Sequence, residues 1–410
     1  MNKLIGLIII LQFLIHPLSA QDSEKNMYLG VHGYLSAMPS LYWNKDTAMW
    51  QVLVHNRINI DLSAGDHFSA SVQFRNQLIG GDFVHGAGYK DGIVKQNYYL
   101  PLTLQQTFGD YYLLSLSVDR AWVQYTYKNL EIKLGRQRIN WGQTFVWNPN
   151  DIFNTYNFFD FDYPERPGAD ALRIQYYTSG TSSLDLAAKV DSSGDVSGAA
   201  LYRFNHWNTD FQFLGGYFNQ SNVLFVQYPV PGILQWKDHD LTAGFGFSGA
   251  IKNVSIRGEA SYFYSLKDNS DSTNVFLCSI AADYSFSNEA MIMGEFLYNS
   301  NVLLPGGSNF LSLYSGNQNV KTLSFTKYNI FGQFTYPVLP IFNVGLSAMY
   351  FFDDNLTGAY AGPDLDLSVG DNSTLSSYFQ IFAFRVQDPA TGQKSWANGN
   401  FVFLRYKWNF

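Results

Sequence analysis

The chain of 410 residues has one cysteine, Cys278, so no disulfide within it can staple the fold. Its apolar runs are too short to cross a membrane as a helix. Charged residues make up only 14% of it and the net charge is −7, which gives no electrostatic reason to expect nucleic acid as a partner. No H-E-x-x-H zinc motif, P-loop or G-x-S-x-G elbow occurs, and the scattered histidines have no metal-ligand neighbour at a recognised spacing. The reading is therefore of a protein that is not an enzyme, with no catalytic residue, no metal site and no cofactor.

What the chain has in quantity is aromatic residues, with 28 Tyr and 34 Phe. Hydrophobic residues reach 46%, yet the mean hydropathy is only −0.12. Strands with one face in lipid and the other in water give that combination. Met1–Ala20 reads as a secretory signal peptide: Lys3 opens it, Leu4–Ile15 is the apolar stretch, and Leu18-Ser19-Ala20 precedes a cleavage site at Gln21. An exported chain that spans a membrane without a spanning helix has to close into a barrel, because lipid cannot satisfy open backbone groups. The expectation is one domain, 21–410, folded as an all-β transmembrane antiparallel barrel of about 18 strands, with 16 as the alternative.

The alternation supports this directly. Trp50, Val52, Val54, Ile58, Ile60 and Leu62 share one face; Gln51, His55, Arg57, Asn59 and Asp61 share the other. After a turn at 63–66 the pattern resumes through Phe68, Ala70, Val72 and Phe74, which makes a hairpin. Val254–Tyr264 repeats the pattern, with Arg257 and Glu259 on the inward phase, and 276–286 with 290–299 forms another hairpin. Short turns are expected near 128–129, 179–182, 206–208, 252–253, 287–289, 337–340 and 370–373, with longer loops at the opposite strand ends. The 359–369 segment is the weakest strand, because Pro363 lacks the N–H that a ladder needs.

The final segment, Phe401–Phe410, alternates Val402, Leu404, Tyr406, Trp408 and Phe410 with mostly polar residues up to the terminus. It resembles the closing strand of Gram-negative outer-membrane β-barrels, which typically ends in Phe. Gly135-Arg136-Gln137, Trp141-Gly142 and Asn148-Pro149-Asn150-Asp151 together look like a signature of porin-like outer-membrane proteins. The resemblance implies outer-membrane lipid and the barrel-assembly machinery as partners, small solutes as cargo, and leaves an oligomer open.

Arg57, Arg75, Arg120 and Arg173 fall on the inward phase of nearly consecutive strands and could form an arginine ladder along one wall of the pore. The alternative is a ladder neutralised by inward acids such as Asp61 and Glu131. The 140–170 segment is too aromatic for a loop in water and carries Asp151, Asp160, Asp162 and Glu165. Folded inward, it would set those acids opposite the arginines as a constriction, an arrangement that resembles general porins. Strict phase sends Arg136 and Arg138 outward, so they sit at the rim or Gly135 hosts a bulge. His55 and His67 read as ordinary polar lining. The function that fits is a passive channel for small polar or anionic solutes. The alternatives are a conduit for hydrophobic or amphiphilic molecules, suggested by Met291, Met293, Leu297, Phe325 and Phe331, or a non-conducting surface or secretion-assembly barrel.

Overall fold

The computed structural model describes residues 27–85, 98–154, 159, 162–226, 232–266, 274–302, 319–387 and 391–410. The signal peptide expected at 1–20 lies outside the described residues, as does Asp160. In chain order the strands begin with β1 (Met27–Trp43), β2 (Ala48–Ala64), β3 (Phe68–Gly81), β4 (Thr103–Phe108), β5 (Tyr112–Tyr127), β6 (Leu130–Gln137) and β7 (Ala169–Ser179). They continue with β8 (Ser182–Val190), β9 (Val196–His206), β10 (Thr209–Val226), β11 (Gly232–Ile251), β12 (Val254–Ser265) and β13 (Val275–Ser285). The last six are β14 (Met291–Asn299), β15 (Tyr328–Leu339), β16 (Phe342–Phe352), β17 (Leu356–Gly370), β18 (Ser373–Gln387) and β19 (Lys394–Asn409).

Eighteen of these close an antiparallel ring. Each pairs with the next, and β1 closes on β19 from Tyr34 opposite Asn409 to Trp43 opposite Asn400. The extra strand is β4. It pairs with residues 112–117 of β5, while β6 takes residues 121–127 of the same edge. The two therefore share one place in the wall, end to end.

Every short turn expected from the sequence joins two strands here. Lys128, Trp207, Asn208 and Lys252 all take positive φ, as tight hairpin turns matched to the strand twist require. Pro363 lies inside β17, opposite Leu346 of β16; on the β18 side the recorded pairing skips from Ala361 to Asp364. The missing N–H falls in that break, so the proline costs the sheet little. Outward residues such as Leu134, Ile280, Leu346 and Leu404 are about half exposed, as a lipid-facing surface should be. Tyr406 and Trp408 lie on this outer face, whereas Phe401 and Phe403 point inward and are buried.

The apolar core sits inside the ring. Two connections turn into the lumen: the described residues of 138–168 between β6 and β7, and residues 319–326 before β15, most of them buried. Leu323 and Phe325 of this inner segment pack with Phe331 of β15, Phe351 of β16 and Phe384 of β18.

Candidate permeation constriction

The 138–168 loop leaves the wall at the end of β6, at the place that β4 fills above it. Two residues before β6 ends, Gly135 holds a position that only glycine fits. Its φ is +119°, and a Cβ there would lie 2.2 Å from the carbonyl oxygen of Ala121. No register shift occurs at Gly135, so the bulge considered for it is absent. Arg136 keeps the outward phase of Leu134, yet it is buried among Val118 of β5, Asp170 of β7 and Leu100, just before β4. Its guanidinium donates to both oxygens of Asp170, at 2.8 and 3.0 Å, and to the carbonyls of Val118 and Leu100. Asp170 in turn accepts the Leu100 N–H at 2.8 Å. A charge that would be costly against lipid instead makes four hydrogen bonds within the wall, two of them to a carboxylate. Arg138, one residue past β6, reaches the Glu165 carbonyl at 3.3 Å.

From there the loop sweeps round the lumen. Trp141 is fully buried and donates to Asp185 of β8 at 2.9 Å. Residues 143–150 cross to β12 and β14, where Glu259 and Glu295 accept their backbone N–H groups. Phe159 lies edge-on to Tyr360 of β17 and Phe382 of β18, at 5.3 and 5.2 Å between centroids. Residues 162–166 then return to β2 and β5.

That return contact decides the fate of the arginine wall. On β5, Gln73 of β3 faces Arg120 and Phe74 faces Val118, so Asp119 is an extra, unpaired residue. This bulge turns both Asp119 and Arg120 into the interior. Asp119 accepts from Arg57 at 2.8 Å, and Tyr163 of the loop donates to its other oxygen. Burial raises the Tyr163 phenol well above its ordinary value, which keeps it a neutral donor. Arg57 also lies 3.7 Å from Glu165. Arg120 donates to the carbonyls of Asp119, Glu165 and Arg166. Arg75 lies over the Tyr163 ring at 3.8 Å. His55, fully buried, pairs with Asp162 at 2.9 Å.

The structure thus brings Arg57, Arg75, Arg120, Asp162 and Glu165 into one cluster, but not across an opening. The returning limb packs directly on the arginines, which corrects the expectation that its acids stand opposite them. The neutralising acids also differ from those read in the sequence. Arg57 takes Asp119 and Arg173 takes Asp185 at hydrogen-bond distance, whereas Asp61 pairs with His32. Arg257 pairs with Asp283 at 3.1 Å. Asp151 is buried elsewhere in the loop, with Arg138 no closer than 3.9 Å, and burial lifts its carboxyl to about 7.

Sequence reading passed over two features. Asp119 was hidden by its bulge, since strict alternation sets it and Arg120 on opposite faces. Glu295 carries no motif that marks it in the sequence; only the folded loop shows what it holds. The inward apolar residues Leu297 and Phe331 are buried in the lumenal core, and Phe325 belongs to the inner 319–326 segment rather than to a strand. Among the described residues no group of acids, histidines or cysteines could hold a metal ion.

By class this is a closed outer-membrane β-barrel with an inward loop. Solved barrels share its fold: OccAB1 of Acinetobacter baumannii is 10% identical, with 96% of this chain and 99% of that one covered at a TM-score of 0.55. OccD3 (OpdP) of Pseudomonas aeruginosa is 10% identical over 97% of this chain and 96% of that one, also at 0.55. OccK11 (OpdR) of the same species is 10% identical over 93% and 96%, at 0.52. Residues 66–240 match a family model described as a protein of unknown function (DUF1302). No curated protein matches the chain. The closed ring and its apolar outer face place the protein in an outer membrane.

Proposed function

We propose that the protein is a porin-like channel for passive diffusion of small polar or anionic solutes across the outer membrane. The observation that carries the reading is a ring of 18 strands, wide enough for an aqueous lumen, narrowed by a loop bonded to its wall on both sides. The Occ barrels share this fold across nearly the whole chain, which supports the reading by likeness of fold. The protein acts without catalysis, and its mature chain starts after a cleaved signal at Ala20. The aromatic closing strand, ending in Phe410, is what barrel-assembly machinery would read, and assembly into oligomers would leave each lumen intact.

Reconstitution in planar bilayers tests the central point. Stable single-channel steps with measurable ion selectivity are expected, together with swelling of liposomes in small charged solutes. A correctly inserted barrel with no conductance at any voltage would overturn the channel reading in favour of a surface or assembly role.

A further inference from the structure

Glu259 and Glu295 stand on β12 and β14, with β13 between them, and both are buried. Each carboxylate meets hydrogen-bond donors. Glu259 accepts the N–H of Gln143, that of Thr144 at 2.7 Å and that of Asn150 at 2.9 Å, plus the Thr144 hydroxyl at 3.1 Å. Glu295 accepts the N–H groups of Phe145, Val146 and Trp147 at 3.0, 2.8 and 2.9 Å, and the Ser279 hydroxyl at 2.7 Å. Five consecutive amides, 143–147, are thereby wrapped around two wall carboxylates. The bonds go to the backbone, so they do not depend on which side chains the loop carries.

We infer that Glu259 and Glu295 are the positioning residues of the constriction, holding 143–150 to the far wall, and that they hold it only while both are ionised. The inference rests on the channel reading and names what sets its aperture. A carboxylate can accept several hydrogen bonds, whereas a carboxyl group turns one oxygen into a donor. Here that new donor would face amide N–H groups, so protonation replaces attraction with repulsion and strips bonds from the loop. Glutamine has the same shape and the same misplaced donor, which makes it a permanent copy of the protonated state.

Other charged groups face this latch. Around Glu259 they are Arg257 on its own strand, Asp283 on β13 paired with that arginine, Arg203 on β9, and Asp151 in the loop. The arginines keep their charge throughout. Asp151 is a third buried acid beside Glu259 and its own titration would overlie that of the latch, so the acid series belongs in an Asp151→Asn background. Glu295 is flanked on β13 and β15 by Ala281 and Phe331. Among the described residues its hydrogen-bond partners are the three amides and Ser279 alone.

Two readouts on the full-length inserted barrel test the inference. The first is single-channel conductance. The second is the labelling rate of Val146→Cys, in a Cys278→Ser background, by a water-soluble methanethiosulfonate, since Val146 is buried in the latched loop. Glu259→Gln with Glu295→Gln should raise the labelling rate by about ten-fold or more at neutral pH, as the loss of several charge-assisted bonds implies. Conductance should rise with it. With Asp151→Asn alone, conductance should rise as pH falls, and the Gln pair should flatten that profile at its upper level. If the double variant fails to insert, each single Gln variant carries the same expectation at smaller amplitude. Unchanged labelling and conductance in inserted variants, with a flat acid profile, would overturn the inference while leaving the channel reading intact. Faster labelling in barrels that never conduct would uphold the latch and overturn the channel.

Discussion

The wall of β2, β3, β5 and β7 carries the arginines that stand out in the sequence, and the inward face of β19 near its end carries Arg405 and Lys407. The first wall is the more charged on paper. Its Arg57, Arg120 and Arg173 nevertheless lie within 4.0 Å of Asp119 or Asp185, and the loop covers much of what remains. Arg405 instead donates to the Tyr378 hydroxyl and sits over that ring at 5.0 Å. Lys407 sits over the Tyr34 ring at 4.0 Å. Neither forms an ion pair among the described residues. An aromatic face orients a cation without cancelling its charge, so the wall with fewer cations should present more uncompensated charge to a passing anion. What a solute meets depends on pairing as well as on the count of arginines.

The comparison can be broken most sharply at Asp119. Asp119→Ala would leave Arg57 buried without its carboxylate, at a cost of about 3–5 kcal/mol. Urea unfolding of the liposome-embedded barrel should show that loss, and Arg57→Met together with Asp119→Ala should recover most of it. Equal stability of the single variant and the parent would mean that Arg57 is not held as described. A smaller effect is expected on selectivity. Arg405→Gln with Lys407→Gln should move the permeability ratio towards cations by roughly two- to five-fold at low salt, shrinking at 1 M where screening acts within about 3 Å. Arg57→Gln and Arg173→Gln should move it less. The reverse ranking, in inserted channels, would show that the arginine wall is the one a solute senses.

A third effect concerns Asp151. Burial raises its carboxyl from the ordinary 3.8 to about 7, so its ionised form is the disfavoured one in the folded protein. Its contribution to stability is complete in acid and is lost as pH rises through about 7. Asp151→Asn should therefore match the parent at acidic pH and exceed it in stability above neutrality. A gain that is the same at both ends of the pH range would rule out titration of this group as the cause.

Much of the wall was legible in the sequence because a strand's two faces are a local property. The outward face of β2, the short turns from 128–129 to 370–373 and the aromatic outer face of β19 all follow from a period of two. The same rule misled at Asp119, where one extra residue changes which side chains face in, and the change is visible only against the partner strand. A bulge at Gly135, one of two alternatives offered for Arg136 and Arg138, is absent; its positive φ is taken up with the register unbroken on both sides.

The sequence by itself determined an all-β membrane-spanning barrel, its inward and outward faces, and the presence of one loop too aromatic for water. The tertiary structure decided where that loop goes and which charges are cancelled. The reason is distance along the chain: the Gln143 amide meets a carboxylate 116 residues away, Phe145 meets one 150 away, and Arg57 finds Asp119 62 away. Alternation records which way a side chain points, but a partner brought in by ring closure leaves no mark on its neighbours in sequence.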